Sequence, residues 1–240
     1  MKKKKISLAV IPAREGSKRL KNKNLRLING HPLIAYTIDA VKKSKSIDFW
    51  LLSSDSDKIL NAGRKYNVPI YFKRPKNISG DKIRNSETLI HALKFIEKKF
   101  KIKVDIILLL QPTSPIRDAK HIDEAIKLLS ESNININTLA SVKGPYKKRD
   151  PIIKKIDDDG SLKDFNLMTK KNLYPFYLYN ASIYAVKRDY LLKNKKFTSE
   201  KQIPLKMNFL QSLDIDDIDD LNIVRSLYKT KLLDKYKINE

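Results

Sequence analysis

The chain has 240 residues, a formal net charge of +23 and no cysteine, a length that suits one domain with a full core and a modest insertion. Without cysteine, a disulfide framework, a thiolate metal site and a cysteine nucleophile are all excluded, and a reducing, cytoplasmic compartment is the expectation. The excess charge invites a nucleic-acid or anionic-membrane reading, but lysine outnumbers arginine roughly four to one and is scattered over every segment, whereas readers of phosphates and bases favour the bidentate arginine fork.

In chain order, MKKKKISLAVIPAR begins like a signal peptide, but its apolar run is broken by Pro12 and followed by Arg14, so it reads as a buried first strand, Ile6–Pro12. Further strands are predicted at Phe49–Ser54, Pro69–Phe72, Asp105–Gln111 and Thr138–Val142. Helices fall between them at Pro32–Lys43, Asp57–Tyr66, Ser86–Phe100 and Ala119–Ser130. In the third of these, Leu89, Ala92, Leu93 and Ile96 take the i, i+3, i+4, i+7 spacing of a buried face. Such alternation predicts βαβ units: an α/β fold with a doubly wound, mostly parallel sheet. Residues 143–177 break the alternation with a basic run and a turn at Asp157–Gly160. They read as an insertion within a single domain, a hairpin suited to dimerisation. A strand over Leu178–Val186, a lysine-rich loop, a strand near Met207–Leu213 and a closing helix from Asp217 to Leu233 complete the chain. No segment approaches the ~20 apolar residues of a membrane helix, so no membrane association is expected.

In doubly wound sheets ligands bind beyond the carboxyl ends of the strands, and the chemistry-bearing residues fall there. The first strand runs into Ala13-Arg14-Glu15-Gly16-Ser17-Lys18-Arg19 and then Lys23-Asn24. Backbone N–H groups, Ser17 and the cations Arg14, Lys18 and Lys23 can surround a triphosphate. The GxxxxGK[ST] spacing of a Walker A loop is absent, and an ordinary basic surface loop is the alternative. Late in the chain, Asp214-Ile215-Asp216 places two carboxylates at i and i+2, which a strand directs to one face. A carboxylate pair of this kind suits Mg²⁺ together with substrate phosphate oxygens, although capping of the following helix accounts for some of the acids in DIDDIDD. The third motif, Gln111-Pro112-Thr113-Ser114-Pro115, fixes three polar side chains between prolines at a strand end, where they can meet a hydroxyl-rich substrate. His31, His91 and His121 all sit at or within helix-like segments and read as packing or surface residues.

Taken together, IPAREGSKRLKNKN, LLQPTSPIR, NASIY and SLDIDDIDDL resemble the acylneuraminate cytidylyltransferase family, the CMP-sialic acid synthetases and their bacterial relatives, from about residue 9 to residue 221. The resemblance implies a Rossmann-like nucleotidyltransferase fold and transfer of CMP from CTP to an acidic nine-carbon sugar, with Mg²⁺ and a homodimer. It implies a nucleotide site from Ala13, Arg14, Ser17, Lys18, Lys23, Asn24, Arg74 and Asn85. Gln111, Thr113, Asn180 and Tyr184, with Lys170 or Lys171, would form the sugar pocket, and Asp214 and Asp216 would hold the metal. Arg14, Lys23, Asp214 and Asp216 would carry the catalysis. The CMP-Kdo synthetases share the chemistry but differ in the first loop.

Four departures from the family pattern stand out. Glu15 puts a carboxylate in the phosphate loop, Arg84–Asn85 occupies a region usually rich in Ser and Thr, Ala181 stands where Gly is usual, and Lys170–Lys171 stand where an arginine is common, keeping the charge without the planar fork. Glu15 and Ala181 leave a binding-only homologue as an alternative. A nucleic-acid-binding protein is the alternative of another class, resting on charge alone.

Overall fold

The computed structural model describes residues 4–80, 83–133, 135–146, 154–156, 162–164 and 176–238. In chain order the elements begin with β1 (Ser7–Pro12), β2 (Leu27–Ile28), β3 (His31–Pro32), α1 (Leu33–Lys43), β4 (Phe49–Ser54), α2 (Asp57–Lys65), β5 (Tyr71–Lys73) and α3 (Asn85–Phe100). There follow β6 (Ile106–Leu110), α4 (Ala119–Glu131), β7 (Thr138–Tyr146), β8 (Lys154–Ile156), β9 (Leu162–Asp164), β10 (Phe176–Lys187), α5 (Arg188–Asn194), β11 (Ile203–Met207) and α6 (Ile218–Tyr228). Seven strands form one sheet in the order β11-β7-β10-β6-β1-β4-β5. All its pairings are parallel except those of β10, which runs against both β6 and β7.

The central strands explain themselves. β6 is IILLL with every residue buried, and β1 is buried along almost its whole length. A strand apolar on both faces needs cover on both. One face packs under α1, α2 and α4 through Ile34, Ile38, Ile59 and Ile122. The other packs under α3 and α5 through Leu89, Leu93, Ile96 and Leu191. Truncating any of these aliphatic side chains to alanine should cost about 2–5 kcal/mol. A third cluster, with Tyr36, Ile116, Ile215, Leu221 and Tyr228, seats α6 against the base of α1.

The doubly wound, mostly parallel α/β architecture agrees with the expectation, and four local readings are corrected. The late strand covers Ile203–Met207 rather than Met207–Leu213, which instead enters a 3-10 turn at Leu210–Ser212. The lysine-rich loop contains α5, whose Leu191 anchors it to the core. The closing helix stops at Tyr228. Thr230 then caps a separate 3-10 stretch, its side chain accepting from Leu232 N–H. The strand read from Pro69 begins at Tyr71. Within the expected insertion, β8 and β9 form an antiparallel two-stranded sheet. The predicted turn at Asp157–Gly160 lies outside the described residues.

Candidate active site

The loop after β1 owes its shape to neighbouring strand ends. Ala13 N–H donates to Ser53 O at 3.0 Å, and Glu15 N–H donates to the Asp55 carboxylate at 3.0 Å. Glu15 O accepts from Ser17 N–H at 2.8 Å, closing a tight turn. Asn24 is buried, and its side-chain amide donates to Arg14 O at 3.0 Å, pinning the far end of the loop to its start. Glu15 itself is exposed and takes no part in the cleft lining, so its carboxylate stands outside the cleft.

The loop opens onto a cleft of about 330 Å³. From the loop, Arg14, Ser17, Lys23 and Asn24 line it, and Arg74 and Asn85 line its far end. Gln111 and Thr113 come from the end of β6, and Asp214 and Asp216 from the segment before α6. Ten of the residues singled out from sequence thus share one cavity. Ala13 is buried behind it, and Lys18 is exposed at its side. No histidine is among the described residues that line it.

Asp214 and Asp216 converge, though for a different reason from the one the i, i+2 spacing suggested. Neither lies in a strand. Ile215 between them is fully buried, and its N–H donates to Thr113 O at 2.8 Å, which ties the segment to the β6 end and leaves Asp214 and Asp216 on the cleft lining. The remaining acids of DIDDIDD do the capping. Asp217 accepts from the N–H groups of Asp219 and Asp220, while the Asp220 carboxylate accepts from those of Asp216 and Asp217. This capping box satisfies donors that an uncapped helix leaves free.

The two carboxylates differ electrostatically. Asp216 pairs with Lys23 and Arg19, each at 3.1 Å, and Lys23 Nζ also donates to Ile215 O at 2.9 Å. Asp214 is more deeply buried, and its Oδ1 has no hydrogen-bond partner. Burial chiefly raises its pKa above the usual carboxylate value, with Asp216 and Asp220 acting the same way and Thr113 and Lys23 opposing. A buried, unpartnered carboxylate oxygen facing a cationic cleft fits a divalent-cation ligand.

At the opposite end Arg74 is buried. Its N–H donates to Ser54 O at 2.7 Å, Nη1 donates to Thr88 Oγ1 at 2.9 Å, and Nε has no protein partner. Burial lowers its pKa, with the Asp55 carboxylate opposing and Arg14 reinforcing that shift. Beside it Ile78, Ser79, Gly80, Ile83 and Thr88 add to the lining. None of these five carries a motif of its own in the sequence.

Two of the expected sugar residues lie outside the lining. Asn180 is 4% exposed, and both ends of its amide are engaged: Nδ2 donates to Ser212 Oγ at 2.8 Å, and Oδ1 accepts from Ser141 Oγ and from Ser182 N–H. Tyr184 is half-buried, edge-on to Phe197 at 5.1 Å and to Tyr179 at 6.1 Å. Between them β10 shifts register, and Ala181 takes φ 57°, the left-handed region that favours glycine. Lys170 and Lys171 lie outside the described residues.

One buried cation was legible only as the last letter of LLQPTSPIR. Arg117 is 3% exposed, and its guanidinium donates to Gln111 O at 2.9 Å, to Thr37 Oγ1 at 2.6 Å and to Ser182 O. Burial pushes its pKa down to about 9, with the Asp214 charge opposing. It therefore remains a cation at neutral pH.

A family profile described as Cytidylyltransferase matches residues 8–238. The chain is 34% identical to CMP-N,N'-diacetyllegionaminic acid synthase of Legionella pneumophila, over 87% of this chain and 90% of that one. It is 32% identical to N-acylneuraminate cytidylyltransferase of Escherichia coli, over 93% of this chain and 52% of that longer one. Among solved structures, CMP:2-keto-3-deoxy-manno-octonic acid synthetase complexed with CTP superposes with a TM-score of 0.66 at 16% identity, covering 93% of this chain and 98% of that one. At that identity the likeness speaks for the fold.

Proposed function

The chain belongs to the cytidylyltransferase family, and on that premise we propose that its cleft joins CTP to a nonulosonic acid of the sialic, legionaminic or pseudaminic type, giving a CMP-sugar and pyrophosphate. The observation that carries the reading is the meeting, in one cavity, of a cationic loop, a rigid polar strand end and a buried carboxylate with an unpartnered oxygen. The relative named for diacetyllegionaminic acid supports the sugar class.

In this reading the anomeric hydroxyl attacks the α-phosphorus in line and pyrophosphate departs. Arg14, Ser17 and Lys23 receive the triphosphate and offset the charge that grows on the leaving group. Lys18, exposed at the loop, adds to the attraction. Arg74 offers a free Nε–H toward the base end, with Asn85 beside it. Gln111 and Thr113 face the sugar, Asn180 and Tyr184 support the wall behind them, and Lys170 or Lys171 meets the sugar carboxylate. Asp214 and Asp216 would hold Mg²⁺, which supplies charge neutralisation at the α-phosphate when bound. The chain would act as a homodimer through residues 143–177. Its setting would be the cytoplasm, consistent with a chain in which no described helix is long and apolar enough to cross a membrane.

The test is to incubate the protein with Mg²⁺, CTP and a panel of sialic, legionaminic and pseudaminic acids and Kdo, and to follow pyrophosphate. Release with a nine-carbon acid is expected. Silence with every sugar would sink the reading, and salt-sensitive DNA binding without stabilisation by CTP would replace it.

A further inference from the structure

Gln111 can discriminate a sugar only if the strand end that carries it is held still, and the hydrogen bonds that hold it converge on one residue. Arg117 follows the Pro112–Pro115 turn and reaches back beneath it. One guanidinium nitrogen donates both to Gln111 O, at the end of β6, and to Thr37 Oγ1 on α1. The other donates to Ser182 O on β10, beside the left-handed Ala181. From that bulge the contacts continue through Asn180 to Ser212, two residues before Asp214. Thus a single planar group fixes three elements that chain connectivity leaves independent.

A buried cation is costly, and an aliphatic side chain of similar volume would fill the space at less cost. The placement of its donors says what the charge is for. Two of the three acceptors are backbone carbonyls, one of Gln111, which lines the cleft, and one of Ser182, next to the left-handed Ala181. None of the three belongs to the triphosphate loop.

We propose that Arg117 is a positioning residue for the acidic-sugar half of the site, setting Gln111 and the β10 bulge relative to Asp214 through a fork that only a guanidinium provides. It touches neither substrate. The inference rests on the cytidylyltransferase reading above and adds to it a residue whose loss damages one substrate's recognition and spares the other's. Lysine keeps the charge but presents one nitrogen, which cannot reach three acceptors in a plane.

The experiment compares wild type, Arg117→Lys and the milder Thr37→Val, using steady-state kinetics for each substrate and titration of CTP binding without sugar. Arg117→Lys should raise the KM for the sugar acid by about tenfold or more, because a small misplacement of a positioned group is amplified in recognition. The CTP dissociation constant should stay within about twofold, since no acceptor of the fork lies in the nucleotide loop. Thr37→Val should shift the same sugar KM in the same direction by about threefold. If Arg117→Lys fails to fold, Thr37→Val alone carries the comparison. In a double-mutant cycle, Gln111→Ala should absorb most of the Arg117→Lys effect on sugar KM.

Equal loss for both substrates, a fall in kcat alone, full additivity with Gln111→Ala, or unchanged kinetics in both variants would each overturn the inference and leave the cytidylyltransferase reading standing. A wild type silent with the whole sugar panel would remove both.

Discussion

The cleft wall proposed for the nucleotide hangs on parallel strands and a cationic loop, whereas the one proposed for the sugar is backed by a buried polar lattice around β10, which runs against its neighbours. On the first wall, Arg14, Ser17 and Lys23 reach into the cleft from a loop held by a few backbone bonds and by Asn24. On the second, Arg117, Asn180, Ser141 and Ser212 are nearly excluded from water and bond to one another or to backbone carbonyls. A triphosphate carries enough charge to be drawn in by the summed field of such cations. Apart from its one carboxylate, a sugar acid presents hydroxyls that offer no such pull, and their recognition must come from groups already fixed in place.

That contrast can be broken at several points, and the largest effect is expected where the walls meet. Asp214→Ala should lower turnover by about a thousandfold or more with little change in CTP affinity, because transition-state charge stabilisation is lost; an unchanged rate in the pyrophosphate assay would remove it from the site. Lys23→Met should lower kcat/KM for CTP by about a hundredfold while the sugar KM stays near wild type. A parallel rise in sugar KM would mean that the walls are not independent.

The buried wall should answer in stability as well. Asn180→Ala removes the side-chain bond to Ser212 Oγ and leaves Ser141 Oγ with Ile183 N–H alone among the described residues, and should cost about 1–3 kcal/mol in denaturant unfolding, while Arg14→Ala, on the loop, should move the midpoint less. In the other direction, Ala181→Gly relieves a left-handed alanine and should stabilise by about 0.5–1 kcal/mol after the entropy of glycine is counted.

The smallest effect joins the two halves far from the cleft, where Arg188, beside β10, grips Glu97 of α3 through two bonds of 2.7 and 3.0 Å. Burial would raise the Glu97 pKa, but the bonds from Arg188 and Val104 N–H outweigh it and hold the pKa below the ordinary 4.5. A depressed carboxyl stabilises the fold above its unfolded value and loses that contribution as pH falls through the folded one. Unfolding midpoints of wild type and Glu97→Gln should therefore differ most at pH 7, the gap narrowing only as pH falls below the ordinary carboxyl value of 4.5 and through the depressed one. A constant gap down to pH 3 would contradict this.

The same contrast explains what could be read in the sequence. Strands such as IILLL and the helix with Leu89, Ala92, Leu93 and Ile96 announce themselves because the pattern that buries them is local. The cationic loop is equally local, and Arg14, Ser17, Lys23 and Asn24 from it line the cleft. Asp214 and Asp216 were found through a strand that is not there; their convergence depends on Ile215 bonding to Thr113, a contact across a hundred residues that no periodicity encodes. Asn180 was expected to touch the sugar, but its amide is used by two serines at distant positions. Arg117 and Thr37 escaped for the same reason, since their partners are brought together only by the finished sheet. Among helices, α5 was hidden by lysines that mask a single buried leucine.

The bond between Ile215 and Thr113 also closes the site from its far end in sequence. The first loop, the proline-fixed strand end and all seven strands of the main sheet precede both cleft carboxylates along the chain. One backbone contact, Ile215 N–H on Thr113 O, therefore stitches the last pair of cleft residues onto a lining drawn from the first half of the chain.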